Sequence, residues 1–212
     1  MVLPMSVKGL SKGAQTRERL LDIAQDAVLN KGFAATSIDE IIAEAGLTKS
    51  GFFYHFKDKN DLAKALLQRY LDHEWEVFDR LFKQADTLSE DPLHSFLIFL
   101  KLLADTLADL PNGHPGCLVA SYIYQEHLFS RDVRNMTTEG HLIWRKRFGE
   151  RFRGIAERYP LKLEVDLEDL ADMLSTVADG GIILSKSLRE PSLLPRQIMH
   201  YRRFVQAVFQ GA

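Results

Sequence analysis

One cysteine, Cys117, stands in 212 residues, so neither a disulfide framework nor a cysteine-built zinc site can be assembled. No apolar run is long enough to span a bilayer and the N-terminus has no apolar leader core, so nothing points to export, and a reducing cytoplasm is the expected home. Charge of either sign is scarce in net terms, at −2 overall, which excludes a protein that coats nucleic acid by charge alone. Catalytic patterns are missing too: there is no nucleophile elbow, no phosphate-cradling glycine loop and no scaffolded pair of carboxylates, so an enzyme is not expected. Of the histidines, His73, His94, His114, His127, His141 and His200 show no ligand spacing, and His114 three residues before Cys117 is too little for a metal. No cofactor is implied.

What the chain does have is organised around Thr36 to Lys59. Ile38, Ile41, Ile42 and Ala45 recur at helical spacing with Asp39, Glu40 and Glu44 between them, which makes one apolar face and one wet face. Thr36 or Ser37 supplies the N-cap oxygen. Gly46 follows where a helix ends on positive φ, and Leu47 pins the turn. Thr48 caps a second helix whose Phe52 and Phe56 fall on one side, leaving Lys49, Ser50, Gly51, Phe53, Tyr54 and His55 outward. An amine, a hydroxyl and aromatic edges on one short exposed helix suit a major groove with its phosphate walls.

The run AGLTKSGFFYHFKDKNDL resembles the DNA-binding signature of TetR-family transcriptional regulators, through Gly46, Leu47, Thr48 to Ser50, Gly51, Phe53, Tyr54, His55, Phe56, Lys59 and Leu62. That family usually has Tyr where this chain has Phe53. The resemblance covers about the first quarter of the chain. It implies that Lys49, Ser50, Gly51 and Tyr54 approach base edges, that Thr36, Ser37, His55 and Lys59 touch phosphates, and that Thr48 and Phe53 complete the surface. The rear of the chain is similar to one subfamily in its GCL at Gly116 to Leu118 and in ADGGIILSKSL followed by YRRFV; there the region holds a small-molecule pocket and a dimer interface.

The remaining periodicity predicts an all-α protein, and the resemblance implies a three-helix, helix-turn-helix DNA-binding domain over 14–60 and a helical ligand-binding and dimerisation domain over 61–212. Residues 1 to 13 have no apolar period and read as an arm for the minor groove or a frayed end. A helix from Thr16 to about Asn30 precedes the reading stretch. An uninterrupted helix from Lys59 toward Phe82 joins the two parts. Helices follow over Leu93 to Leu110, buried on most sides, over Cys117 to Phe129, from Arg131 to before Pro160, over Leu167 to Leu188 and over Leu193 to Phe209. The front is mildly basic, with eight Lys or Arg against seven Asp or Glu up to Asn60, and the rest is acidic, nineteen against twenty-two.

Candidate effector contacts are Phe96, Phe99, Leu103, Cys117, Ser121, Tyr122, Gln125, Trp144, Phe148 and Met173, although aromatic stripes at this spacing ordinarily fill a core. Candidate dimer contacts are Met173, Val177, Gly181 and Leu184 with Ile198, Tyr201, Phe204, Val205 and Val208, helices that otherwise close their own domain. A short reading head needs two half-sites roughly 34–36 Å apart, which calls for a homodimer. The expected partners are operator DNA, a second copy of the chain and a small-molecule effector, with no membrane. The expected function is a ligand-responsive, sequence-specific transcriptional regulator, a repressor released by its effector. The other readings are an all-helical binding module that does not read DNA, and a thiol-based electrophile or oxidant sensor acting through Cys117.

Overall fold

Ser11 opens the first helix with its hydroxyl, which accepts from the amide of Ala14 at 3.3 Å. That helix, α1, runs Lys12–Lys31 in the computed structural model, which describes residues 11–211. Lys12 and Gly13 are therefore helical, where the sequence pattern suggested a loose end; the remainder of the expected arm lies outside the described residues. The other helices are α2 Ile38–Ala45, α3 Lys49–His55, α4 Lys59–Leu88, α5 Pro92–Ala108, α6 Leu118–Ile123, α7 Arg131–Ala156, α8 Leu167–Ser187 and α9 Leu193–Gln210. Among the described residues there is no strand, as the all-α expectation required. One expected helix is broken: Cys117 to Phe129 folds as α6 followed by a single 3-10 turn at Glu126–Leu128.

By packing, the chain forms two units. A front unit takes the chain up to His73 together with Cys117–Glu139, and a rear unit takes Glu74–Gly116 together with the chain from Gly140 onward. Helices α4 and α7 each contribute to both.

In the front unit, Leu20, Leu21, Ala24 and Val28 of α1 are buried, as are Ile41 of α2, Phe52 of α3 and Leu62 and Leu66 of early α4, with α1 packed on α2 and α2 on α3. Arg69 of α4 fastens α1 polar group by polar group, reaching Glu18 at 3.2 Å, Asp22 at 2.7 Å and Gln25 at 3.1 Å. The segment beginning at Cys117 adds a clasp to the α1–α2 corner. The Tyr122 hydroxyl donates to the Ala63 carbonyl at 3.1 Å, its ring stacks on Phe129 at 4.3 Å, and Phe33 meets both rings. Gln125 accepts from the Ala34 amide at 3.0 Å, and Asn60 accepts from the Ser130 amide at 3.0 Å.

In the rear unit, α5 is the buried helix its composition predicted, with Phe96, Phe99 and Leu100 fully enclosed. Around it sits an aromatic cluster in which Phe82 stacks on Phe99 at 3.8 Å and Phe96 meets Phe152 at 4.7 Å. Arginines of α7 close the outside: Arg151 grips Asp86 through two bonds of 2.8 Å while lying over the Phe82 ring, and Arg145 grips Asp172 of α8. Helices α8 and α9 pack together where Gly181 removes a side chain. A Cβ there would stand 2.7 Å from Leu194 Cδ1. Ser185 accepts the Leu194 amide at 3.0 Å and the Tyr201 hydroxyl donates to the Leu170 carbonyl at 2.7 Å, so the contact is polar-satisfied as well as close.

Candidate nucleic-acid interface

The helix-turn-helix is set by three caps. Ser37, not Thr36, is the α2 cap, accepting the Glu40 amide at 3.1 Å. Gly46 takes the left-handed conformation, φ 63° and ψ 35°, and the Leu47 amide returns to the Ile42 carbonyl at 3.0 Å, so the last α2 carbonyls are satisfied without a longer loop. Thr48 then caps α3 by accepting the Gly51 amide at 3.2 Å, and its hydroxyl lies 3.0 Å from that of Ser50. Two turns of helix are fixed in place by local chemistry, and Phe52 and Phe56, both buried, hold them to the core.

The face left outside is the expected one for most residues. Thr48, Lys49 and Ser50 are exposed, Gly51 and His55 are half-buried, Phe53 is half-exposed and Tyr54 is 83% exposed. Tyr54 and His55 meet edge to face at 5.0 Å, which limits the swing of an otherwise free phenol. Ser37 is exposed beside its cap.

Two residues assigned to phosphates face inward instead. Thr36 is 2% exposed and donates its hydroxyl to the Gly32 carbonyl at 2.9 Å, because it closes the turn after α1. Lys59 folds back onto Phe33, donating to its carbonyl at 2.6 Å with the ammonium 4.3 Å from the ring centre; burial lowers its pKa. Both are parts of the α1–α2 corner. Sequence reading also missed how the lysines of this unit are paired. Lys49 meets Asp39 of α2 at 3.0 Å, and Lys31 meets Glu40, whose pKa the Lys31 hydrogen bond lowers. Such pairs join residues ten and nine apart across helices, a spacing no single-helix rule can flag.

The candidate effector residues fall in different units. Phe96, Phe99, Leu103 and Phe148 are buried in the rear core, and Trp144 and Met173 are half-buried there. Tyr122 and Gln125 are committed to the front clasp already described. Cys117 caps α6, its sulfur accepting the Ala120 amide at 3.3 Å, and Ser121 donates to the Cys117 carbonyl at 3.0 Å. The rear unit also has an open groove of about 530 Å³ between α4 and α7, where Arg147 and Arg151 are already neutralised by Asp79 and Asp86.

The candidate dimer residues divide as well. Gly181, Ile198, Tyr201, Val205 and Val208 are buried inside the chain itself, so as they stand they cannot reach a second copy; the small residue at 181 serves the α8–α9 contact. Met173, Val177 and Phe204 are half-buried and Leu184 is exposed. Beside Leu184 lie Ile183 and Leu188, 54% and 60% exposed, which sequence reading did not single out.

Known proteins are similar to this chain. A family model described as bacterial regulatory proteins of the tetR family matches residues 20–66, the span from mid-α1 into α4. The HTH-type transcriptional regulator TtgR of Pseudomonas putida is 30% identical over 171 residues, covering 79% of this chain and 79% of that protein. The transcriptional regulator AcuR of Cereibacter sphaeroides is 22% identical over 187 residues, 88% of this chain and 84% of its own length. In structure, a TetR transcriptional regulator from Chloroflexus aurantiacus superimposes with a TM-score of 0.77 at 22% identity, covering 94% of this chain and 98% of that one, which shows a shared fold.

Proposed function

Because the chain belongs to the TetR family and is a ligand-responsive DNA-binding transcriptional regulator, we propose that it acts as a repressor dimer that a small molecule releases from its operator. The observation that carries this reading is α3: two turns of helix, capped at both ends, that bury Phe52 and present Lys49, Ser50, Phe53 and Tyr54 together on the outside. Lys49 and Ser50 address base edges, Tyr54 packs on sugar or base, and Ser37, Thr48 and His55 face the backbone walls. The reading head corresponds to 14–60, and the effector and dimer functions to 61–212.

The dimer face is assigned to the outer side of α8, where Val177, Leu184 and Leu188 recur at helical spacing with Ile183 beside them. Exposed leucine and isoleucine in one stripe support this assignment. An Ile183→Glu, Leu184→Glu chain is expected to sediment as a monomer with unchanged helix content; a dimer of ordinary strength would remove the assignment. The effector is assigned to the rear unit beside the half-buried Trp144, whose ring meets Phe78 at 4.8 Å and Phe148 at 5.3 Å. Helices α4 and α7 run unbroken through both units, so a ligand that prefers one arrangement of either helix also biases the spacing of the two reading helices in the dimer. A coupling of about 1–3 kcal/mol gives roughly 5- to 150-fold in operator affinity.

The test is a mobility shift on the DNA upstream of the chain's own gene, repeated with Lys49→Ala plus Tyr54→Ala. Retarded duplex for the parent chain and none for the variant is expected. Equal retardation for both would remove α3 from the account.

A further inference from the structure

The pair between Asp39 and Lys49 sits on the reading face itself. Lys49 is the first residue of α3, Asp39 lies in the first turn of α2, and their side chains meet at 3.0 Å while each stays about three-quarters exposed, 73% and 74%. Nothing else crowds either group, so the lysine can be drawn to another acceptor. Its neighbours are treated differently: Lys31 is held by Glu40, away from α3, and Lys59 is folded onto Phe33. The unit therefore presents its α3 lysine to a partner already matched with a carboxylate.

We propose that Asp39 is a specificity-determining residue, holding Lys49 away from phosphates so that the lysine is released only to a base edge that offers a better acceptor. The inference rests on the DNA-reading function proposed above. Phosphate oxygens are present at every step of a duplex, so a free lysine on α3 would add affinity for all sequences alike. Guanine offers O6 and N7 together in the major groove and only where guanine occurs. On arbitrary DNA the lysine stays with Asp39 and adds no phosphate contact, and the carboxylate itself repels the backbone. At a matching base the lysine leaves Asp39 for two acceptors in a desolvated groove. The carboxylate thus subtracts more from arbitrary binding than from site binding, which is what selectivity requires.

Glu44 supplies the control. It lies on the same helix, is exposed, and has no ion pair among the described residues. Fluorescence anisotropy would compare the full chain with Asp39→Asn, Glu44→Gln and Asp39→Asn/Lys49→Met. The probes are a short duplex of arbitrary sequence and a duplex enriched by the parent chain from a random pool, each titrated over a range of salt. Asp39→Asn is expected to bind the arbitrary duplex about 3- to 10-fold tighter at low salt, with a salt slope steeper by about 0.9 per bound protomer and a smaller gain on the enriched duplex. Glu44→Gln is expected to change either affinity by less than about twofold. The double variant is expected to lose the gain. A melting curve for each chain separates these effects from the weak loss of a first-turn acid at a helix start. If the parent binds the enriched duplex but Asp39→Asn gains no more than Glu44→Gln, or gains equally on both duplexes, or keeps its gain without Lys49, the role of Asp39 is overturned and DNA reading stands. If the parent binds no duplex, the DNA-reading function falls and this inference with it.

Discussion

The front and rear units are built from the same kind of amphipathic helix, and Arg69 gives the front interior the same multiply bonded arginine the rear has, yet the polar groups around α3 differ from those that close the rear bundle. Around α3, ion pairs such as Lys49–Asp39 and Lys31–Glu40 join single flexible amines to carboxylates at the surface. In the rear, Arg151 lies over Phe82 with both ends of its guanidinium on Asp86, and Arg202 donates to the Leu97 carbonyl at 2.9 Å. Exchangeable pairs suit a surface that must trade its partners, and the small net energy of exposed ion pairs makes the trade possible. Planar, multiply bonded arginines suit a body that must hold its shape.

The sharpest way to break that contrast is to hollow the rear core. Phe99→Ala removes a ring with no exposed surface that stacks on Phe82, and it is expected to cost about 3–5 kcal/mol in thermal or denaturant unfolding. A cost under about 1 kcal/mol would mean the rear unit is not the packed body described. The front is tested next by Lys49→Ala plus Tyr54→Ala, which is expected to weaken operator binding at least about 100-fold while leaving the melting temperature within a degree or so, since base contacts are worth about 1–3 kcal/mol each and both side chains are exposed. A large loss of stability would place these side chains in the fold instead of on the interface. Gly181→Ala comes third: crowding against Leu194, whose Cα would lie 3.3 Å from the new Cβ, is offset in part by the roughly 1 kcal/mol alanine gains over glycine inside a helix, so a net loss of at most about 2 kcal/mol is expected, with the dimer left intact because the close approach is within the chain.

The last effect concerns protons. His114, partly enclosed in the loop after α5, accepts the Gly116 amide on Nδ1 at 3.2 Å, and burial first, with the positive charges of the chain's amino terminus and of Lys186, lowers its pKa to about 3. The unfolded chain then binds a proton near pH 6.5 that the folded chain refuses until about pH 3, so stability falls as the pH drops through that window, by at most about 1.4 kcal/mol per unit. His114→Gln is expected to flatten the fall of melting temperature between neutral and acidic pH; an unchanged profile would remove this group from the acid response.

These two units were not equally legible in the sequence. The helix-turn-helix was readable to the residue at Gly46, because a glycine placed directly after an apolar-periodic run marks the positive φ on which a helix stops, whereas the start of α1 and the end of α6, which no proline or glycine marks, were missed by four and six residues. Periodicity says which face of a helix is buried but not what buries it. Hence Ile198, Tyr201 and Val205, whose pattern suits a partner chain equally well, are found closed inside this one. The same gap hid the clasp of Tyr122 and Gln125 on Ala63 and Ala34, contacts between residues 59 and 91 positions apart. The inward turn of Lys59 was hidden for a related reason: a long, flexible stem can reach outward to a phosphate or back to a carbonyl, and here it lies on Phe33.

Cleavage protection on the duplex enriched by the parent chain addresses the central claim most directly. Two copies of α3 in neighbouring major grooves predict two protected patches whose centres lie one helical turn, roughly 10–10.5 base pairs, or a whole multiple of it apart, and both patches vanish together in the Lys49→Ala, Tyr54→Ala chain. A single patch, or protection that survives in that variant, would contradict it.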